Sequence, residues 1–144
     1  MTRSLVLDTG VLGSIAHPRP NRDIVAWLNG GLRAGAVVVL PEIADYELRR
    51  NFLPEGLTVS IQRLDQLKIV LTYLPLNTAA MLKAAELWAM ARKRGKPTAD
   101  PRELDGDVIL AAQALELGSN AVVVTENVGH LSLFIEARTW RQMP

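Results

Sequence analysis

Residues 4–8 read SLVLD, an apolar run with no polar alternation that breaks at an aspartate. A strand with one wet face alternates apolar and polar residues. A run that is apolar at every step suits a strand covered on both faces, as in a parallel sheet. The same form returns in AVVVLP at residues 36–41 and AVVVT at 121–125, and more weakly in IVLTYLPL at 69–76. Helical patterns lie between and after these runs: NRDIVAWLNGGLRAG (21–35), PEIADYELRRNF (41–52), LTVSIQRLDQLKIV (57–70), NTAAMLKAAELWAMARKRGK (77–96) and DVILAAQALELG (107–118). Asn77 or Thr78 suits a helix cap, and Gly95 a stop. Strand and helix therefore alternate, and the expected class is α/β, a parallel sheet sandwiched between helices. In such sheets functional groups gather beyond the carboxyl ends of the strands.

The totals fit one domain over residues 1–144. Hydrophobic residues make up 49% of the chain and charged residues 22%, ordinary proportions for a soluble globular protein. The formal net charge of +1 provides no global attraction for nucleic acid or membrane, so any polyanion contact must come from local patches. With no cysteine, disulfides, thiolate metal sites and cysteine nucleophiles are excluded. No apolar run approaches the ~20 residues of a membrane span, and MTRSLVLDTG makes a poor signal peptide. A cytoplasmic location is expected. The segment GKPTADPRELDG (95–106) reads as a turn-rich surface connection.

Four acidic positions invite a closer reading. Asp8 directly follows the first strand, where a plain turn aspartate is also common. Glu47 falls within about 40° of Ile43 on a helix, between Tyr46 and Ala44, while Glu42, Asp45 and Arg49 share the opposite, wet side. An inward carboxylate needs a partner, either Arg50 at i,i+3 or a metal. Asp105 and Asp107 stand at the mouth of an almost wholly apolar helix. One would suffice as a cap, and two repel each other unless a hard cation lies between them. After the last run, Thr125, Glu126 and Asn127 offer a hydroxyl, a carboxylate and an amide. Glu126 is most simply a solvated charge, and His130 a surface or packing histidine. With two histidines in the chain, a histidine-based zinc site is not expected.

In VLDTGVL, EIADYEL, DGDVILAAQALELG and VVVTENVGHL, taken in that order, the chain resembles the PIN-domain ribonucleases, most closely the VapC toxins of bacterial toxin–antitoxin pairs. The resemblance covers nearly the whole chain. It implies a five-stranded parallel sheet between helices, a homodimer, and a cognate antitoxin. It also implies metal-assisted hydrolysis of RNA with Mg²⁺ or Mn²⁺. Asp8, Glu47 and Asp107 become the acidic metal ligands and catalytic residues, with Asn127 completing the site and Asp105 as an auxiliary acid. Asn127 stands where many members have an aspartate, and Gly10 where asparagine is common. Arg49, Arg50 and the run Arg92, Lys93, Arg94 and Lys96 are candidates for the RNA backbone, although that run also suits a solvated helix end.

Other readings compete. LDTG is also the aspartic-protease signature, but those enzymes are β-structures that pair two such motifs, and this chain has one. A haloacid-dehalogenase-like phosphatase wants a second aspartate at Gly10, and a receiver domain wants paired acids after the first strand. The remaining alternative is a PIN-like module that binds RNA or a partner protein without efficient cleavage. Finally, LKAAELWAMARKRG carries more apolar residues than one stripe needs, so Trp88 and Met90 are expected to face a second copy or a partner.

Overall fold

The structure, a computed structural model, describes residues 3–94 and 101–143. Its strands are β1 (Ser4–Leu7), β2 (Val37–Pro41), β3 (Thr72–Leu74), β4 (Ala121–Val124) and β5 (Ala137–Arg138). They form one parallel sheet in the order β3-β2-β1-β4-β5. The helices are α1 (Thr9–Ala16), α2 (Arg22–Arg33), α3 (Glu42–Phe52), α4 (Thr58–Val70), α5 (Thr78–Lys93), α6 (Pro101–Glu116) and α7 (Val128–Leu131).

Continuous apolarity in the central strands has the expected cause. Leu5, Leu7, Val38, Leu40, Val122 and Val124 face a layer built from α1, α2, α3 and α4. Val6, Val39, Ala121 and Val123 face the opposite layer, where Leu110 and Ala114 of α6 and Leu131 of α7 cover them. Both faces are dry, so alternation would have left polar groups buried without water. The result is the three-layer α/β/α sandwich expected from the sequence. Outside α6 lies α5, whose Ala80, Ala84, Leu87 and Ala91 meet Val108, Ala111 and Ala112. Trp88 and Met90 pack partly buried against this same cluster, while Met81 and Leu82 are exposed.

Several elements differ from the expectations. Helix α6 begins at Pro101, so Asp105 and Asp107 lie inside it and not at its mouth. Proline favours the first turn of a helix, which makes Pro101 a start signal where the sequence suggested a loop. Neither aspartate is the cap. The rest of that expected connection, residues 95–100, and the expected stop at Gly95 lie outside the described residues. Strand β3 is short, because Ile69 and Val70 finish α4 and are 85% and 65% exposed. Helix α1 was not anticipated. Gly10 and Gly13 dilute its pattern, but a Cβ at Gly13 would lie 3.1 Å from Leu48 Cδ2, so the bare position lets α1 approach α3.

A buried side chain ties the two helices that matter below. Gln113 of α6, fully buried, accepts from the Ile43 N–H at 3.2 Å and donates to the Leu74 carbonyl at 2.9 Å. No side chain caps the start of α3, so this contact satisfies one of its orphan donors. Among the described residues no helix is long and apolar enough to cross a membrane.

Candidate functional site

The sheet order reverses direction at β1, where β2 lies on one side and β4 on the other, and a crevice opens beyond the carboxyl ends of these strands. Asp8 sits at that point. Its N–H continues the strand pairing to the Val124 carbonyl at 3.1 Å, and its Oδ1 caps α1 by accepting from the Val11 N–H at 2.8 Å. Glu47 is on α3, which leaves β2 directly. Asp107 is in the second turn of α6, and because α6 feeds into β4, its N-terminal half lies at the same rim. Asn127 follows β4. These four line one cleft of ≈ 450 Å³ together with Thr9, Gly10, Arg50, Gly106, Leu110 and His130.

Glu47 is held in place. The Thr9 hydroxyl donates to its Oε1 at 2.7 Å, and the Arg50 guanidinium lies 3.8 Å from Oε2. The ion pair read for its inward face is thus present, and the same carboxylate lines the cleft. The rest of α3 is turned differently from the expectation. Asp45, assigned to the wet side, is only 6% exposed, and Tyr46, assigned to the apolar side, is 55% exposed. The cause is α4, which covers that flank and supplies Lys68 2.9 Å from Asp45 Oδ2, while Arg49 lies 3.0 Å from Oδ1.

Burial raises the Asp8 carboxyl above its ordinary value, and the nearby charges of Glu126 and Glu47 add to the rise. Hydrogen bonds from Thr125 and the Val11 N–H oppose it. Desolvation penalises the charged form of a carboxyl. Thr125 is fully buried and also accepts from the Asn127 N–H at 2.8 Å, fixing the turn out of β4. Asn127 precedes α7 but makes no side-chain cap, so its amide is not spent on the helix. His130 Nδ1 lies 3.8 Å from Asp107 Oδ2.

The PIN-domain family model matches residues 5–130. This chain belongs to the PIN-domain family. Solved structures with the same fold include FitAcB from Neisseria gonorrhoeae, 24% identical over 96% of this chain and 99% of that one, with a TM-score of 0.73. VapBC2 from Rickettsia felis, bound to a DNA fragment from the promoter, is 16% identical over 95% and 98%, with a TM-score of 0.77. VapBC-1 from nontypeable Haemophilus influenzae is 23% identical over 96% and 99%, with a TM-score of 0.71. No curated protein matches by sequence.

Not every anticipated residue joins the PIN-domain cleft. Asp105 lines a separate groove with Met81, Trp88 and Ile109, between α5 and α6. Arg49 is engaged by Asp45 and by Asp65 at 2.6 Å. Arg92 stacks on Trp88, 5.1 Å from the ring centre. Lys93 and Arg94 end α5 and do not line the cleft, and Lys96 is outside the described residues. Of the described basic candidates only Arg50 lines it. Sequence reasoning missed Thr9 and Gly106, although each adjoins an acidic residue in the motifs, and it set His130 aside. Gly10 is not bare by necessity, since a Cβ there would make an ordinary contact 3.7 Å from Asp8 Oδ1.

The donors facing the cleft are carboxylates, an amide, a hydroxyl and one imidazole, a set suited to a hard cation better than to zinc. Among the described residues no three acidic or histidine side chains are close enough to ligate one ion together. Magnesium tolerates this, because it is usually held by one or two carboxylates and keeps several waters.

Proposed function

We propose that this PIN domain is a Mg²⁺- or Mn²⁺-dependent endoribonuclease, the toxin of a VapC-type toxin–antitoxin pair. The observation that carries the reading is the meeting of Asp8, Glu47, Asp107 and Asn127 in one cleft at the β1/β4 crevice. Asp8 and Asp107 would hold the ion, with Glu47 and Asn127 reaching it through water. When bound, the ion would supply Lewis-acid stabilisation of phosphodiester charge and a more acidic water for in-line attack. Glu47, fixed by Thr9, would accept a hydrogen bond from water in the cleft and orient it. Arg50 places a positive charge beside the scissile phosphate. No protein nucleophile is required, so the chain's work is positioning and electrostatics.

A cognate antitoxin and a homodimer belong to the same proposal. The antitoxin is supported by the likeness to VapBC structures, and a further interface by large apolar side chains left exposed on α4 and α5, such as Val59, Ile69 and Leu82. A cytoplasmic site of action belongs to the same proposal.

The test is cleavage of structured and unstructured RNA in Mn²⁺, Mg²⁺ or chelator, alongside melting temperatures in the same solutions. Cleavage that needs the metal, with a metal-induced rise in melting temperature, is expected. No cleavage and no rise would overturn the proposal. The second reading, a PIN-like module that binds RNA or a partner without efficient cleavage, is favoured by Asn127 and by the lack of a three-ligand cluster among the described residues. RNA retention in chelator with no turnover in metal would support that module.

A further inference from the structure

Glu47 meets α6 at a place where α6 has no side chain. A Cβ built on Gly106 would lie 2.5 Å from Glu47 Oε2, 3.1 Å from Cδ and 3.2 Å from Oε1. Carbon and oxygen do not approach so closely, so any other residue at 106 must move something. The atoms in the way belong to the end of a flexible side chain and not to backbone. The helices could therefore stay in place while the carboxylate leaves its position. Thr9 holds the same carboxylate from α1, and Arg50 approaches from α3 itself. Its position is thus set from three helices, and on one side by the absence of an atom.

We infer that Gly106 is a positioning residue: the bare turn of α6 is the seat that lets the Glu47 carboxylate face the cleft beside Asp107. This rests on the metal-site reading given above. A glycine inside a helix is otherwise unfavourable, because alanine there loses less backbone freedom. Ordinary helix energetics thus favour filling this position, and the seat supplies a reason to leave it bare.

Opposite effects on stability and on metal response separate the seat from a merely structural glycine. Gly106→Ala should melt in chelator at or above the wild-type temperature. Its Mn²⁺-induced rise in melting temperature should be less than about half that of wild type, and RNA cleavage should fall about tenfold or more, the scale of losing an orienting contact. Gly30→Ala is the control, since a Cβ there meets nothing within 4 Å. It should melt higher and keep the full Mn²⁺ response. In a Glu47→Ala background, where nothing remains to be displaced, Gly106→Ala should have no further effect on the Mn²⁺ response. It should also raise the chelator melting temperature by more than it does in wild type. An unchanged Mn²⁺ response in Gly106→Ala would overturn the inference, as would additive melting temperatures across the cycle. If wild type shows no metal response at all, the nuclease proposal fails by itself. The chelator cycle then decides the seat: non-additivity supports it and additivity rejects it.

Discussion

Asp8 does two jobs that pull in opposite directions. As the cap of α1 it needs an acceptor oxygen, and as a buried carboxylate it carries a charge that its surroundings oppose. Its folded value is raised above the ordinary 3.8, so the folded chain binds its proton more tightly than the unfolded chain. The contribution of Asp8 to stability is then greatest at low pH and falls as pH rises through the raised value. Asp8→Asn keeps the acceptor and removes the charge. In chelator, the variant should match wild type at about pH 3 and melt above it at about pH 7, where an unshifted carboxyl is ionised. Thermal melts across that range check this, and a variant that melts lower at neutral pH would reject it.

Asp107→Asn should leave the chelated chain equally stable or more so and remove Mn²⁺-dependent cleavage, a larger loss than the ~10–100-fold typical of outer-shell changes. Asp105→Asn, on the α5 groove, should cleave as wild type does. Equal losses in both variants would mean that α6, and not one carboxylate, is being disturbed.

At the level of elements, α3 and α6 carry the site, and Gln113 joins them. A Gln113→Leu change keeps the volume but takes this partner from the buried Ile43 N–H and from the part-buried Leu74 carbonyl. The stranded buried amide costs about 1–3 kcal/mol, so unfolding in urea should show a loss of about 1–3 kcal/mol. A loss below about 1 kcal/mol would mean that other partners replace the bridge. The sequence was most legible where burial is uniform. SLVL, VVVL and AVVV, short and β-branched, read as covered strands, and the alternation of elements then located the rim. It was least legible where a local signal has two meanings. Pro101 reads equally as a breaker or a helix start, and two glycines obscured α1. The facing of α3 was misjudged because periodicity reports one apolar stripe, whereas Asp45 is buried against Lys68 of the next helix, α4, whose packing α3's own pattern does not report. Asp8 and Asn127 were readable from the strand ends, Glu47 from its inward helix face, and Asp107 from its place beside an apolar run, although not as a cap. Their partners Thr9 and Gly106 were not, because a hydroxyl contact and a missing side chain leave no periodic trace.

The whole molecule has almost no net charge, sixteen basic against fifteen acidic residues, so no long-range field draws RNA to it. Attraction must come from cations near the bound phosphates, and Arg50 is the one basic residue lining the cleft among those described. Each neutralised phosphate on a single strand adds about −0.7 to the slope of log affinity against log salt. With one or two such contacts, the slope for a short single-stranded RNA, measured by fluorescence anisotropy in chelator, should lie between about −0.7 and −1.5. Raising salt from about 50 to about 200 mM should then weaken binding by less than roughly tenfold. Arg50→Ala should flatten the slope by about 0.7, while joint replacement of Arg92, Lys93 and Arg94 should leave it unchanged. Stacking of Arg92 on Trp88 already gives that residue a structural role at the end of α5. A slope steeper than about −3 that flattens only when the α5 run is replaced would show that RNA follows α5 and not the cleft. The carboxylates would then have to be reached by a strand entering from the α5 side.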